Sequence, residues 1–253
     1  MKFENKYISE AICLIQYKAI DGKIRHRVAD AESAFADIFS GQSQQTNVPD
    51  NTDPNIPRLI FQGGHKQLSI SQKACQFSLG FANNEKTIDE QLAIITKNLS
   101  AFQNDVFKFK PKDQLGECAI ILSVNVPCKE GRDSTLQHIY NRFFKVDQQA
   151  EYGKLASYSF KVGYETSNQC YLNYETDVYE LRKLDVPQPT TFGQVVQIAV
   201  KDGAVIEEGV RIRVDVNNKP KVRSASYAYS GIDELMPIAF DFVVAKVDKL
   251  INS

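Results

Sequence analysis

Three histidines are the first residues to test for chemistry, because imidazole binds zinc and transfers protons near neutral pH. His26 lies between two arginines, His65 follows two glycines, and His138 precedes Ile139 and Tyr140. None of the three has a second His or a Cys at the short spacing of a zinc motif such as H-x-x-x-H or C-x-x-C. We therefore predict structural or incidental roles for the histidines and expect no metal site.

The cysteines are the candidate nucleophiles and disulfide partners. Their number is odd and they form no C-x-x-C pair, which argues against a disulfide framework. They are Cys13, Cys75, Cys118, Cys128 and Cys170. Most fall inside apolar strand patterns, where a reduced cysteine acts as a small hydrophobic residue. Cys128, which follows Pro127 and precedes Lys129, is interpreted as a solvent-facing loop cysteine. Because the chain also lacks a G-x-S-x-G motif, we predict no catalytic residue and favour a protein that is not an enzyme.

Nucleotide and carboxylate chemistry also lack a local motif. Gly63-Gly64-His65 has neither the glycine spacing nor the following helix of a phosphate-binding loop. The pairs Glu207-Glu208 and Asp233-Glu234 are explained by a turn and by a helix start, where negative charge complements the helix dipole. We therefore expect no cofactor.

A group of basic residues in the last quarter of the chain is the candidate for nucleic-acid binding, which needs clustered Lys and Arg beside aromatic rings. The group consists of Arg211, Arg213, Lys219, Lys221 and Arg223. Asp215 shares the strand face, and 30 basic residues nearly cancel 31 acidic residues over the chain. Tyr227 and Tyr229 are interpreted as covering the core edge. Nucleic acid is therefore an unlikely partner, and its binding stays a second alternative.

In the first half of the chain, alternating apolar residues predict a strand meander. Glu10 to Lys18 is apolar on both faces, which predicts an interior strand. Two strands flank Gly63-Gly64, which suit a two-residue type I′ turn, and Cys75 to Phe81 follows as another strand. Asp30 to Phe39 predicts a short helix with Asp30 as its N-cap. Gly41 to Asn55 is polar and predicts a long surface loop, either mobile or in contact with a partner.

The most regular pattern is an amphipathic helix from Thr87 to Phe109. Thr87 and Glu90 form a capping box, and apolar residues then recur at spacings of four and three. They are Ile88, Leu92, Ile95, Leu99, Phe102 and Val106. A coiled-coil seam would show the same stripe, but the polar residues between its members favour packing on a sheet. The flank of this helix could add a dimer contact.

Beyond Pro111 the order of strands and helices repeats in outline. The strand patterns are Cys118 to Val126, Tyr158 to Tyr164, Tyr171 to Leu181, Val195 to Val200 and Val210 to Val216, with a helix near Asp133 after the first. Ile232 to Ile251 predicts a closing helix with the stripe Ala239, Val243, Val247 and Leu250. We predict an α+β fold of two antiparallel strand meanders, each followed by a long amphipathic helix. The two α+β halves are 1–112 and 113–253, and they either stay separate or fuse into one domain.

Composition is that of an ordinary globular protein, with 43% hydrophobic and 24% charged residues. The N-terminus lacks the apolar core of a secretory signal, and no run reaches the roughly 20 apolar residues of a membrane span. We therefore expect a cytoplasmic protein without membrane contact.

Several segments together resemble a sporadically distributed family of bacterial proteins of about this length, for which no activity is assigned. The segments are Ser9-Glu10-Ala11-Ile12, Phe61 to Phe81, the helix from Thr87, Ser123-Val124-Asn125, Arg213-Val214-Asp215-Val216 and Phe242 to Ile251. They span most of the chain and rest mainly on apolar patterning. The resemblance implies an α+β body and a role in a bacterial accessory or defence-associated system.

A large ordered body without a reactive motif favours a non-enzymatic binding protein that engages a protein or peptide partner, with a homodimer open. The sheet face and the Gly41 to Asn55 loop are the candidate contact surfaces. The first alternative is a small-ligand-binding protein or an enzyme whose site lies in a cavity between sheet and helix.

Overall fold

A nine-stranded antiparallel sheet organises the protein. The computed structural model of the chain describes residues 1–41, 43–81, 86–144, 153–183, 203–223, 227 and 229–252. The strands are β1 (Tyr7–Tyr17), β2 (Gln44–Gln45), β3 (Pro57–Gly63), β4 (Lys66–Ser71), β5 (Ala74–Gly80), β6 (Leu115–Pro127), β7 (Phe160–Glu165), β8 (Tyr171–Lys183) and β9 (Ala204–Asn217). Their order in the sheet is β2-β3-β4-β5-β1-β6-β9-β8-β7. The predicted α+β class is confirmed.

Helices occupy several of the connections between strands and close the chain. They are α1 (Val28–Ala34), α2 (Ile88–Phe109), α3 (Arg132–Phe143), α4 (Lys219–Val222), α5 (Leu235–Asp241) and α6 (Val247–Asn252). Short 3-10 helices cover Ile24–Arg27 and Lys112–Gln114, and five residues of π-helix, Phe242–Lys246, join α5 to α6. None of the helices in the described ranges is long and apolar enough to span a bilayer.

The chain divides into two compact units, each discontinuous in sequence. One comprises Met1–Lys6, Asn125–Phe160 and Thr176–Ile212, and the other comprises Tyr7–Val124, Lys161–Glu175 and Arg213–Ser253. The halves expected at 1–112 and 113–253 rest on the order of strands and helices alone and stay a prediction.

The expected arrangement of two meanders, each followed by a long helix, is wrong. All strands belong to one sheet order, in which β1 neighbours β6 and β9 lies between β6 and β8. Strands that follow each other in sequence usually pair when the connection between them is short. The connection after β6 is long and contains α3, and the strand that neighbours β6 is β9 instead of β7. The closing helix is also interrupted by its π-helical residues. The strand predicted over Val195 to Val200 lies outside the described residues.

The first meander is confirmed, with a different turn. β3 and β4 pair with Gly63 opposite Lys66, so the loop consists of Gly64 and His65. Only Gly64 of these two has a positive φ, 58°, which is the pattern of a type II′ turn and not of the type I′ turn expected at Gly63-Gly64. β5 then pairs with β1, which places Cys13 opposite Phe77 in the core and confirms β1 as an interior strand.

Helix α2 packs on this part of the sheet, as its apolar stripe predicts. The Thr87 hydroxyl accepts the N–H of Glu90, and the Glu90 carboxylate accepts the N–H of Thr87 at 2.8 Å, which completes the capping box. Four stripe residues are fully buried, and the Phe102 ring stacks on Phe77 of β5 at 5.4 Å. The burial of this stripe against strands leaves the sheet-packing interpretation as the correct one.

Two arginines tie down the long polar loop between α1 and β3. The guanidinium of Arg58 is completely buried and donates to the carbonyls of Ile56 at 2.6 Å and Pro49 at 3.2 Å. Arg25 donates to Asp50 at 2.8 Å and to loop carbonyls. These hydrogen bonds hold the loop in a defined position. At α1, Asp30 lies in the first turn and pairs with Arg27, so its expected role as N-cap is wrong.

Candidate functional site

An apolar groove between the β7–β8 hairpin and the last helical segment is the candidate site. We call it the helix–hairpin groove. Its volume is about 600 Å³, which falls in the usual range of ligand pockets. It is lined by Tyr164, Leu172, Tyr174, Pro237, Ile238, Asp241, Phe242, Lys246, Lys249 and Leu250. Sheet and helix supply opposite walls.

A tight turn fixes the register of the hairpin. Gln169 donates its N–H to the Thr166 carbonyl at 2.9 Å, and Thr166 donates its N–H to the Cys170 carbonyl at 2.8 Å. Gln169 has a φ of 55°, the left-handed conformation required at the third loop position of a three-residue hairpin loop with a bulge. Counting back from the Thr166–Cys170 pair, the antiparallel ladder brings Tyr164 opposite Leu172. Both side chains therefore lie on the groove face.

Stacked aromatic rings form the floor of the groove. Tyr174 is buried, and its ring packs on Phe242 with centroids 5.1 Å apart. Tyr164 lies beside it at 6.4 Å in a stacked arrangement, yet is 52% exposed. Burial raises the pKa of Tyr174 to about 12, and the adjacent Tyr164 adds to the shift. The floor is therefore uncharged near neutral pH, buried at Tyr174 and open to solvent at Tyr164.

The helical wall depends on the π-helical residues, which we call the π turn. The core stripe is Ala239, Val243, Val247 and Ile251, all buried and spaced by four. A regular helix turns about 100° per residue, so a spacing of four drifts by about 40° at each step. The wider π turn takes up this drift and keeps Ile251 in the core. Leu250, which the sequence assigned to the core stripe, instead faces the groove and is half-buried.

A buried glutamine of α2 anchors the start of this helical segment. Gln103 accepts the backbone N–H of Ile232 at 2.8 Å and donates to Asp233 at 3.5 Å. Gly231, with a φ of 78°, leaves no room for a Cβ because the Gln103 amide lies against it. The helical wall of the groove is thus positioned by a contact between residues 129 positions apart in sequence.

The rim of the groove carries charge in an otherwise apolar lining. Lys246 and Lys249 are exposed on the helix, and Asp241 lies one turn earlier. The described lining holds no Ser, Cys or His, so its reactive groups are amines, phenols and one carboxylate. Such a surface can bury an apolar group and pair an anion at its edge. In the part of the chain that the structure describes, no group of three or more His, Cys, Asp or Glu residues is placed to hold a metal ion.

None of the histidines considered from the sequence lies in the groove. His26 and His65 are exposed, in a 3-10 helix and in the β3–β4 turn. His138 is half-buried, with its ring 5.8 Å from that of Phe3. Cys128 is buried at a bridge with Phe3, so its interpretation as a solvent-facing cysteine is wrong. The sequence after Pro127 predicts a loop, but Cys128 extends the end of β6 through its bridge with Phe3.

Two of the five basic residues, Arg211 and Lys221, are engaged with neighbouring protein groups. Arg211 donates to Asn125 at 3.1 Å and its guanidinium lies 5.1 Å from the Tyr179 ring. Lys221 pairs with Glu234. Tyr227 accepts from Asn218 at 2.7 Å, and Tyr229 packs edge-on against Phe107. These contacts account for several of the charges and rings that suggested nucleic-acid binding.

The sequence does not predict the groove, because its two walls come from segments about 65 residues apart. Leu250 also fits the stripe of a regular helix, which assigns it to the core. The signal that was present is the run of four-residue spacings from Ala239 to Ile251, which a regular helix does not satisfy. No family model, curated protein or solved structure matches the chain.

Proposed function

We propose that the protein is a non-enzymatic binding protein whose helix–hairpin groove takes an apolar group that carries an anion at its end. The favoured source is a protein or peptide partner that presents apolar side chains beside an acidic residue. The observation that supports this function is the apolar groove of about 600 Å³ with two lysines on its rim. The role in a bacterial accessory or defence-associated system is part of the same proposal and rests on the resemblance alone.

Energetics favour binding of this kind at the groove. Burying apolar surface contributes roughly 25 cal/mol per Å², so one aromatic or branched side chain contributes about 1.5–3 kcal/mol. An anion near Lys246 adds a contact that is exposed and therefore modest, and it selects acidic over basic partners. The described lining holds no Ser, Cys or His, the side chains that most often supply a nucleophile and its base, which makes recognition the better-supported use of the site.

The volume of the groove also favours a second candidate, a free small amphipathic molecule. A medium-chain carboxylate has the same chemistry as an acidic, apolar peptide: an apolar body and an anionic end. The two sources differ in length and in backbone hydrogen bonding, so competition can separate them.

Fluorescent dyes test the groove itself. Anilinonaphthalene sulfonate has an apolar body and an anionic group, whereas Nile red is apolar and uncharged. We expect Leu172→Asp and Ile238→Asp to weaken binding of both dyes by at least about tenfold, which corresponds to about 1.4 kcal/mol. Lys246→Glu should weaken only the anionic dye. The control is Ile206→Asp, at an exposed apolar residue outside the groove.

Equal dye binding by wild type, Leu172→Asp and Ile238→Asp would rule out the groove as the binding site. Thermal melts show whether each variant is folded. If Leu172→Asp unfolds the protein, Ile238→Asp still tests the groove from its helical wall. Displacement of the dye by a short acidic, apolar peptide but not by decanoate supports a peptide partner. Displacement by decanoate alone supports the small-molecule candidate and overturns the peptide one.

A further inference from the structure

Strand β7 is the last strand in the order of the described sheet, and one side of its backbone faces away from β8. It follows β8 in the sheet order, and no described strand pairs with its other side. The N–H of Thr166 points toward β8, and strand residues alternate, so Val162 and Tyr164 also bond toward β8. Lys161, Gly163 and Glu165 therefore direct their N–H and C=O groups away from the sheet.

Two further observations support this register. A Cβ on Gly163 would meet the side-chain oxygen of Asn173 at 2.6 Å, as expected when these residues are opposite each other. Lys161 and Glu175 line the same small polar pocket on the face away from the groove, which is the next such pair along the ladder. The outward-facing set is thus fixed by the turn and by two cross-strand neighbours.

The outward-facing residues are complementary to themselves. Lys161 and Glu165 are both exposed, carry opposite charges and flank Gly163 symmetrically. If a second β7 runs antiparallel to the first about a two-fold axis at Gly163, Lys161 of each chain lies opposite Glu165 of the other. Opposite charges in such cross-strand pairs are stabilising, and like charges are destabilising. At the axis, glycine removes the side chains that would collide.

We propose that the protein forms a two-fold homodimer in which the β7 strands of two chains pair antiparallel, centred on Gly163. The sheet then continues from one subunit into the other, and an isologous contact of this kind closes by itself. Val162 and Tyr164 of each chain lie on the groove face of the seam, which gives the exposed Tyr164 ring a partner. This inference does not depend on what the groove binds.

The opposite end of the sheet is a poorer place for such pairing. β2 has only two residues, Gln44 and Gln45, and Thr46 directly after it donates its N–H to the Arg58 carbonyl at 3.0 Å. Short edge strands resist pairing with another chain. β7 has six residues, and its exposed Lys161 and Glu165 both meet opposite charges in a second antiparallel copy, whereas a strand of uniform charge would set a like charge against one of them. The second copy is therefore the occupant that the charges select.

Charge exchange across the seam provides the test. Sedimentation velocity should show the wild type shifting from monomer to dimer as its concentration rises from about 1 to about 500 µM. Lys161→Glu and Glu165→Lys should each weaken dimerisation by at least about tenfold, because each creates two like-charge pairs. An equimolar mixture of these two variants should form a heterodimer of about wild-type affinity, since every pair then has opposite charges.

Three results would overturn the proposal. The first is a wild-type protein that stays monomeric over the whole range. The second is a wild-type dimer that neither single variant weakens, and the third is a mixture that dimerises no better than its components. The mixture also controls for folding, because a variant that is merely misfolded is not rescued by a partner. Dye binding to the groove is measured separately, so either proposal can fail while the other stands.

Discussion

Deletion of Val244 tests whether the π turn is what keeps the last helix in register. Ala239 and Ile251 both lie in the core and are 12 positions apart. In a regular helix of about 3.6 residues per turn, 12 residues make about 3.3 turns, which would separate the two side chains by about 120°. Eleven residues make about 3.06 turns and separate them by about 20°. Removing one residue from the π turn therefore allows a regular helix with the same core face.

The size of the expected effect follows from what each deletion exposes. Val244 is 49% exposed, and its loss leaves Val247 and Ile251 in the core, so we expect the free energy of unfolding to change by no more than about 1 kcal/mol. The matched control deletes Asp248, which is exposed in α6 beyond the π turn. That deletion rotates the end of the helix by about 100° and brings Asn252 to the position of Ile251. Exposing a buried isoleucine costs about 1.5–3 kcal/mol.

Urea denaturation followed by circular dichroism measures both variants under one set of conditions. The expected order of stability is wild type close to the Val244 deletion, with the Asp248 deletion clearly lower. Equal destabilisation by the two deletions, or a larger loss on deletion of Val244, would refute the assignment of the register shift to the π turn.

Three other variants test separate parts of the structure. Gln169→Gly should stabilise the protein by about 0.5–1 kcal/mol, because glycine adopts the left-handed turn conformation without strain; a lower urea midpoint would contradict this. Arg58→Met should cost about 1–3 kcal/mol and expose the polar loop to protease, since the buried guanidinium serves several loop acceptors; unchanged proteolysis would contradict it. Burial raises the pKa of Asp21, but Lys110 and the Lys23 N–H outweigh it and hold that pKa below its usual value, so its stabilising effect is lost as pH falls. The stability advantage of wild type over Asp21→Asn should therefore shrink from about pH 5 toward about pH 2, and a constant difference would exclude the mechanism.

Local signals were sufficient for the parts of the fold that depend on neighbouring residues. The Thr87–Glu90 capping box and the stripe that follows specify α2 because each contact joins residues three or four apart. The β3–β4 hairpin could be predicted for the same reason, although its turn consists of Gly64 and His65, one residue later than predicted. These elements could be placed without knowledge of the rest of the chain.

Contacts between residues far apart in sequence could not be predicted in this way. The position of β9 beside β6 depends on competition between strand edges, which the sequence of either strand does not record. Burial of Cys128 depends on a bridge to Phe3, 125 positions away. The groove combines both difficulties, because it needs the hairpin register at Gln169 and the π turn at the far end of the chain.

Methyl NMR provides the most direct measurement of the central claim, that the helix–hairpin groove is the binding site. Protein labelled at isoleucine, leucine and valine methyls would be titrated with anilinonaphthalene sulfonate. We predict saturable shifts at Leu172, Ile238 and Leu250, with little change at the exposed control Ile206. Shifts concentrated at Ile206, or elsewhere on the protein while the three groove residues stay unchanged, would contradict the account.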